Sequence, residues 1–217
     1  MRFTGFGADA LGFWEGLAAD NTKAYWHAHK DTYDTAIAEP LAALCEALEP
    51  EFGVLHRYRP QRDVRFSADK RPYQEFCSAS ATSTRAGSGV LYLQLSLDGL
   101  MLAGGVYQPS TATLGVFRTA VDNPRTAASF DDTLTSLRDD GFELDGDPLR
   151  TAPRGWPKDH PRIDLLRLRN LALHRTHPLG PWLHTPECLD VITTDFSSRT
   201  GTRGSHEPSD PSPADAR

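Results

Sequence analysis

The chain has 217 residues, 39% of them apolar and 24% charged, the composition of one soluble domain and unlike that of a disordered chain or a bundle of membrane helices. No stretch approaches the roughly 20 apolar residues needed to cross a bilayer, and Met1 to Gly7 lacks the apolar region of a secretory signal, so the expected location is the cytoplasm. Its 23 Lys and Arg against 29 Asp and Glu leave a net charge of -6, which argues against general nucleic-acid binding.

Asp9 is placed to cap a short first helix with Leu11, Trp14 and Leu17 on one face. Asn21 is placed to cap a second, in which Trp26, His29, Tyr33, Ile37, Leu41, Leu44 and Leu48 recur every three or four residues. Pro40 removes a backbone donor inside that stripe, which predicts a kink between Ala36 and Pro40, and Glu49-Pro50 ends the run. Val54 to Phe66 reads as extended, with Pro60 confining part of it to a sheet edge or a bend. Ser78 to Gly89 is small and polar and reads as a flexible loop.

Val90 to Leu97, Asp98-Gly99 and Leu100 to Tyr107 carry the clearest hairpin signal, because Asp-Gly suits a two-residue type I′ turn. That turn pairs Leu97 with Leu100, Leu95 with Leu102, Leu93 with Gly104 and Leu91 with Val106, and turns the leucines to the core. Tyr92 and Gln94 then lie on the opposite face, across from Gly105 and Ala103, leaving a shallow polar or aromatic surface. Ser110 or Thr113 is placed to cap a helix carrying Leu114, Phe117 and Val121, stopped by Asn123-Pro124. Ser129 is placed to cap the next, with Phe130, Leu134 and Leu137 as its stripe and Asp139-Asp140-Gly141 as its end.

Phe142 and Leu144 alternate as a short strand, Pro153 to Pro161 reads as an ordered loop, and Arg162 to Asn170 as helical. Leu171 to Thr176 reads as a final strand and Pro186 to Phe196 as a last helix. Apolar residues nearly vanish after Ser197, so residues 1–198 are expected to form one domain and residues 199–217 a disordered polar tail.

Charge concentrates in Gln61 to Tyr73, where Arg62, Arg65, Lys70 and Arg71 surround Asp63 and Asp69. Read as a strand, Asp63 to Ser67 puts Val64 and Phe66 on one face with Arg62, and Asp63 and Arg65 on the other. Ser67 to Lys70 supplies turn formers, and Pro72 keeps Arg71 extended. A guanidinium fork such as Arg65 suits a carboxylate or phosphate, and Lys70 adds a mobile point charge, with Asp63 or Asp69 orienting the arginines. A structural network of ion pairs accounts for the same residues.

The run from Arg62 to Tyr73, read as R-D-x-R-F-S-x-D-K-x-P-Y, resembles the DUF2461 family of uncharacterised proteins. Phe6-Gly7, Phe13-Trp14, Tyr25-Trp26, Leu91-Tyr92-Leu93, Gly104-Gly105, Leu114 to Arg118 and Asp159-His160-Pro161 look alike as well, so the resemblance covers roughly residues 5 to 195. It implies a mixed α/β domain and no agreed activity, and it transfers no catalytic residue.

The expected fold is a single α+β domain, a mainly antiparallel sheet with a central hairpin, covered by helices. The expected function is an anion- or phosphate-binding module that takes an anionic small molecule on Arg62, Arg65 and Lys70, with Arg118, His160 and Arg167 as further ligand-binding candidates. The alternative is an enzyme acting on a phosphorylated or carboxylated small molecule, with Asp63, Asp69 or Tyr73 moving a proton. No nucleotide fingerprint or nucleophile elbow occurs, so no cofactor is implied. His27 and His29 are two apart, and His174 and His177 fall on an expected strand, so no metal site is expected. Cys45, Cys77 and Cys188 are odd in number and lack redox or ligand spacing, which makes them reduced packing residues.

Overall fold

The long helical stripe of the sequence is broken by its proline and its caps. In the computed structural model, which describes residues 2–83, 89–144 and 148–199, α1 (Ala10–Ala19) is followed by α2 (Lys23–Ala28) and α3 (Lys30–Tyr33). A π-helical segment, Asp34–Ala38, leads into α4 (Glu39–Phe52). Pro40 sits in the first turn of α4 directly after the π turn, so the expected kink is a local widening of the helix that absorbs the missing N–H.

Two caps differ from expectation. Thr22, not Asn21, caps α2 by accepting from the Tyr25 amide at 3.2 Å, and Asp9 makes no side-chain capping bond. The expected stop at Pro50 is also corrected. α4 continues to Phe52, which is buried and meets the Phe196 ring edge-on at 5.4 Å, and Gly53 ends the helix at φ 83°. Burial of one aromatic ring outweighs the hydrogen bond that Pro50 removes.

The sheet contains β1 (His56–Arg57), β2 (Phe76–Ser83), β3 (Gly89–Ser96), β4 (Gly99–Val106), β5 (Glu143–Leu144) and β6 (Leu171–His177). All its pairs are antiparallel, in the order β1-β2-β3-β4-β6-β5. β1 is an edge strand, as Pro60 requires of that region. β2 replaces the first half of the loop expected over Ser78 to Gly89, Gly89 opens β3, and residues 84–88 lie outside the described residues. Its serines and alanines read as a loop in sequence, yet Ala79 and Ala81 are buried on the leucine side of the sheet, in the main core.

The hairpin forms with a register two residues away from the expected one. Leu95 pairs with Leu100, Leu93 with Leu102, Leu91 with Gly104, Tyr92 with Ala103 and Gln94 with Met101. A slip of two preserves every facing, so the leucines still enter the core. Gly99 (φ 129°) follows the turn instead of occupying it, and its missing side chain is required by β6, since a Cβ there would lie 2.4 Å from the His177 carbonyl oxygen.

One core joins the leucine face of the sheet to Trp14, Leu17, Leu44, Leu48, Ile192 and Phe196, with α8 (Glu187–Arg199) closing it. The three cysteines are free and buried within it, and burial pushes Cys45 up to about 11 and Cys188 up to about 12, which keeps both as thiols. Helices α5 (Thr111–Asp122) and α6 (Pro124–Asp139) stand outside that core. Val121, Ala127, Leu134, Phe142, Leu166, Leu168 and Ala172 are also buried, but separately from it. Ser110 caps α5, and Asn123 caps α6 by accepting from the Arg125 amide; Ser129, the expected cap, lies inside α6. Helix α7 (Ile163–Leu166) is shorter than the expected Arg162 to Asn170, and its last carbonyl, that of Leu166, accepts from Arg118 of α5. The expected polar tail lies outside the described residues apart from Arg199, the last residue of α8.

Candidate functional site

The loop between β1 and β2 is closed at its base and open at its tip. At the base, Gln61 and Tyr73 form an antiparallel bridge, the Arg62 amide donates to the Pro72 carbonyl at 2.8 Å, and the Gln74 amide to the Pro60 carbonyl at 2.7 Å. Asn21, in the turn before α2, holds both sides of Tyr73. Its Nδ2 donates to the Tyr73 carbonyl at 3.0 Å, and its Oδ1 accepts from the Tyr73 amide at 3.1 Å. The Tyr73 ring is buried and stacks on Trp26, 4.2 Å between centroids and 8° from parallel.

Ion pairs brace the loop inside that base. Asp69 accepts from Arg62 at 2.6 Å and from Arg71 at 2.8 Å, and Arg71 also reaches Glu75. The Arg71 and Arg62 guanidinium groups hold the Asp69 carboxyl far below the ordinary carboxylate range. Arg65 lies against Asp63 at 2.6 Å, and that hydrogen bond lowers the Asp63 carboxyl. The Asp63 side chain also accepts from the Arg65 amide at 3.2 Å.

The expected strand over Asp63 to Ser67 is therefore corrected. A side chain that binds the backbone two residues on makes an Asx turn, which competes with strand pairing. Phe66, expected on a core-facing side, is 97% exposed. Lys70 turns back to donate to the Val64 carbonyl at 3.0 Å.

The other candidates gather elsewhere. Arg118 of α5 donates to the carbonyls of Leu166, at 2.8 Å, and Leu168, tying α5 to α7. Arg167 donates to the Leu149 carbonyl, and His160 meets Asp122 at 3.0 Å, at the end of α5. Among the described residues, no hydrogen bond or ion pair joins this group to the Arg62 to Tyr73 loop. An apolar groove of about 470 Å³ runs between α5 and α6 past Phe117, Val121 and Phe130, and none of the charged candidates lines it. Among the described residues, no group of three His, Cys, Asp or Glu side chains is arranged to hold a metal ion.

Two arrangements escape sequence reasoning. Asn21 reads as a helix cap, and nothing local links it to a residue 52 positions away. Asp195 of α8, 4% exposed, accepts from His177 at 2.7 Å and from Arg175 at 3.3 Å. The alternation Arg175-x-His177 and the acidic residue on the last helix are visible in sequence, but not their convergence.

Residues 9–201 match the model of a family described as "Conserved hypothetical protein (DUF2461)". No curated protein and no solved structure matches the chain.

Proposed function

Because this chain belongs to the DUF2461 family, described only as conserved hypothetical proteins, its role has to be read from its own side chains, and we propose that it is an anion-binding protein that presents Arg65 and Lys70 on a braced loop. The observation that carries this reading is the difference between the cations at the base and those at the tip. Arg62 and Arg71 share Asp69, whereas the Arg65 side chain is 76% exposed and uses only Nε and Nη2 on Asp63. Among the described residues no hydrogen bond takes its Nη1, which we assign to the ligand. Lys70 spends one donor on a neutral carbonyl, and among the described residues no carboxylate pairs with it. Two cations five residues apart on one braced loop suit a phosphate or carboxylate group.

The same ion pairs weigh for binding over proton transfer. Asp63 and Asp69 are both shifted downward by their arginines, so each stays ionised at neutral pH, has no proton to give and is a weak base. Titration calorimetry with inorganic pyrophosphate tests the reading. Arg65→Ala and Lys70→Ala are each expected to weaken binding by roughly tenfold, the equivalent of one charge-assisted contact, with unchanged thermal melts. Unaltered binding in both variants overturns it.

A further inference from the structure

The groove between α5 and α6 takes no residue of the charged loop, and it is linear. Arg125, Ser129 and Thr133 line it at steps of four, which is one face of α6 over successive turns, with Phe130 beside them. At 1.5 Å per residue, Arg125 to Thr133 runs roughly 12 Å along the helix. Phe117, Ala120 and Val121 line it from α5. Val121 is sealed and makes the floor, while Phe117 and Phe130 are half-buried and meet edge-on at 5.7 Å. The volume of about 470 Å³ falls within the roughly 300 to 1,000 Å³ of small-molecule pockets.

The polar groups along it are unequal. The Thr126 hydroxyl donates to the Ala120 carbonyl and that of Thr133 to the Ser129 carbonyl at 2.8 Å, so both are spent as donors. Arg125 is exposed, and among the described residues no hydrogen bond or ion pair takes its guanidinium group. The carboxylates on either side in sequence are committed elsewhere, Asp122 to His160 at 3.0 Å and Asp131 to Arg162 at 2.7 Å. No Asp or Glu lines the groove. Its one cation stands at one end, in the first turn of a 16-residue helix whose dipole also favours negative charge there.

Shape and charge together select the occupant. A compact anion would reach Arg125 and leave the Phe117, Val121 and Phe130 surface wet. A ligand apolar throughout would strip water from the guanidinium and return no partner. An unbranched chain matches the run along α6, and a single carboxylate at its end matches the Arg125 fork. We propose that the α5–α6 groove is a second binding site, independent of the charged loop, that takes a medium-chain alkyl carboxylate, with the head on Arg125 and the tail over Val121 beside Phe117 and Phe130.

The test is a set of amide chemical-shift titrations with decanoate below its micellar range, with decanol as the uncharged tail and acetate as the tail-less head. Decanoate is expected to shift the amides of residues 117–133 in a saturable way, at least tenfold more tightly than decanol, and acetate is expected to leave them still. Arg125→Gln, an exposed change, is expected to weaken decanoate at least tenfold and leave decanol unaltered. Ala120→Leu, which fills the groove with a strong helix former, is expected to abolish both. Arg65→Ala is expected to have no effect on either, so the outcome is separate from that of the loop. Absence of saturable shifts, equal affinity for decanoate and decanol, or decanoate binding indifferent to Arg125→Gln would overturn the proposal. So would a dimer in light scattering that Ala120→Leu dissociates and decanoate does not, because the groove would then belong to a second copy of the chain.

Discussion

Asp69 receives two guanidinium groups at once, and this makes it the residue on which the loop's shape depends. Its folded carboxyl is depressed below the ordinary value of 3.8, first by the Arg71 side chain and then by Arg62. For a depressed acid the stabilising contribution is complete above the unfolded value and is lost as pH falls through the folded one. Loop order should therefore be flat from pH 8 down to about 5 and should decline only below about 4. Protease nicking between Asp63 and Arg71 as a function of pH measures this, and Asp69→Asn should be nicked readily throughout; decline of the wild type already at pH 6 would point to a histidine instead. The cluster was legible in the sequence because its charges are neighbours. Its shape was not, because the decisive bonds are Asx contacts that alternation ignores, and because Asn21 acts from another segment.

Between elements, the contact most exposed to a single change is the seat of α8 on β6. Asp195 is the buried carboxylate there, shared by Arg175 and His177, with the Trp182 ring against His177 at 6.0 Å. Removing it leaves a guanidinium and an imidazole without the carboxylate they share. Asp195→Ala is expected to cost about 3 kcal/mol, the low end for a broken buried pair because the Arg175 side chain is 37% exposed and keeps access to water. Urea denaturation measures the cost, and a loss below about 0.5 kcal/mol would mean that apolar packing alone seats the helix. Elements were otherwise readable to the extent that their cause was local. The π turn at Pro40, the Ser110 cap and the leucine face of the hairpin all follow from residues a few positions apart. β2 was hidden because its small residues answer to the helices above it, and the hairpin register because Gly99 answers to β6.

Across the whole molecule, apolar burial is divided unequally. β3 alone seals Leu91, Leu93 and Leu95 in the main core, whereas α5 buries Val121 and α6 buries Ala127 and Leu134. The α+β class and the helix-covered antiparallel sheet followed from the pattern of periods along the chain; this division did not, since every amphipathic stripe looks alike until its partner is known. Opening free energy tracks buried apolar contact, so α5 and α6 should open as a unit while the sheet stays closed. In native-state hydrogen exchange, amides of Thr111–Asp122 and Pro124–Asp139 should exchange through a lower-energy opening than those of Gly89–Ser96. Leu134→Ala sharpens the comparison. It removes a buried side chain from the smaller cluster, at a typical cost of about 2 to 4 kcal/mol, and should lower protection throughout both helices without changing β3 at moderate denaturant. Equal loss in β3 would show that the two clusters melt together, with the Arg118 bonds to Leu166 and Leu168 tying the helix pair to α7 and the segment that leads into β6.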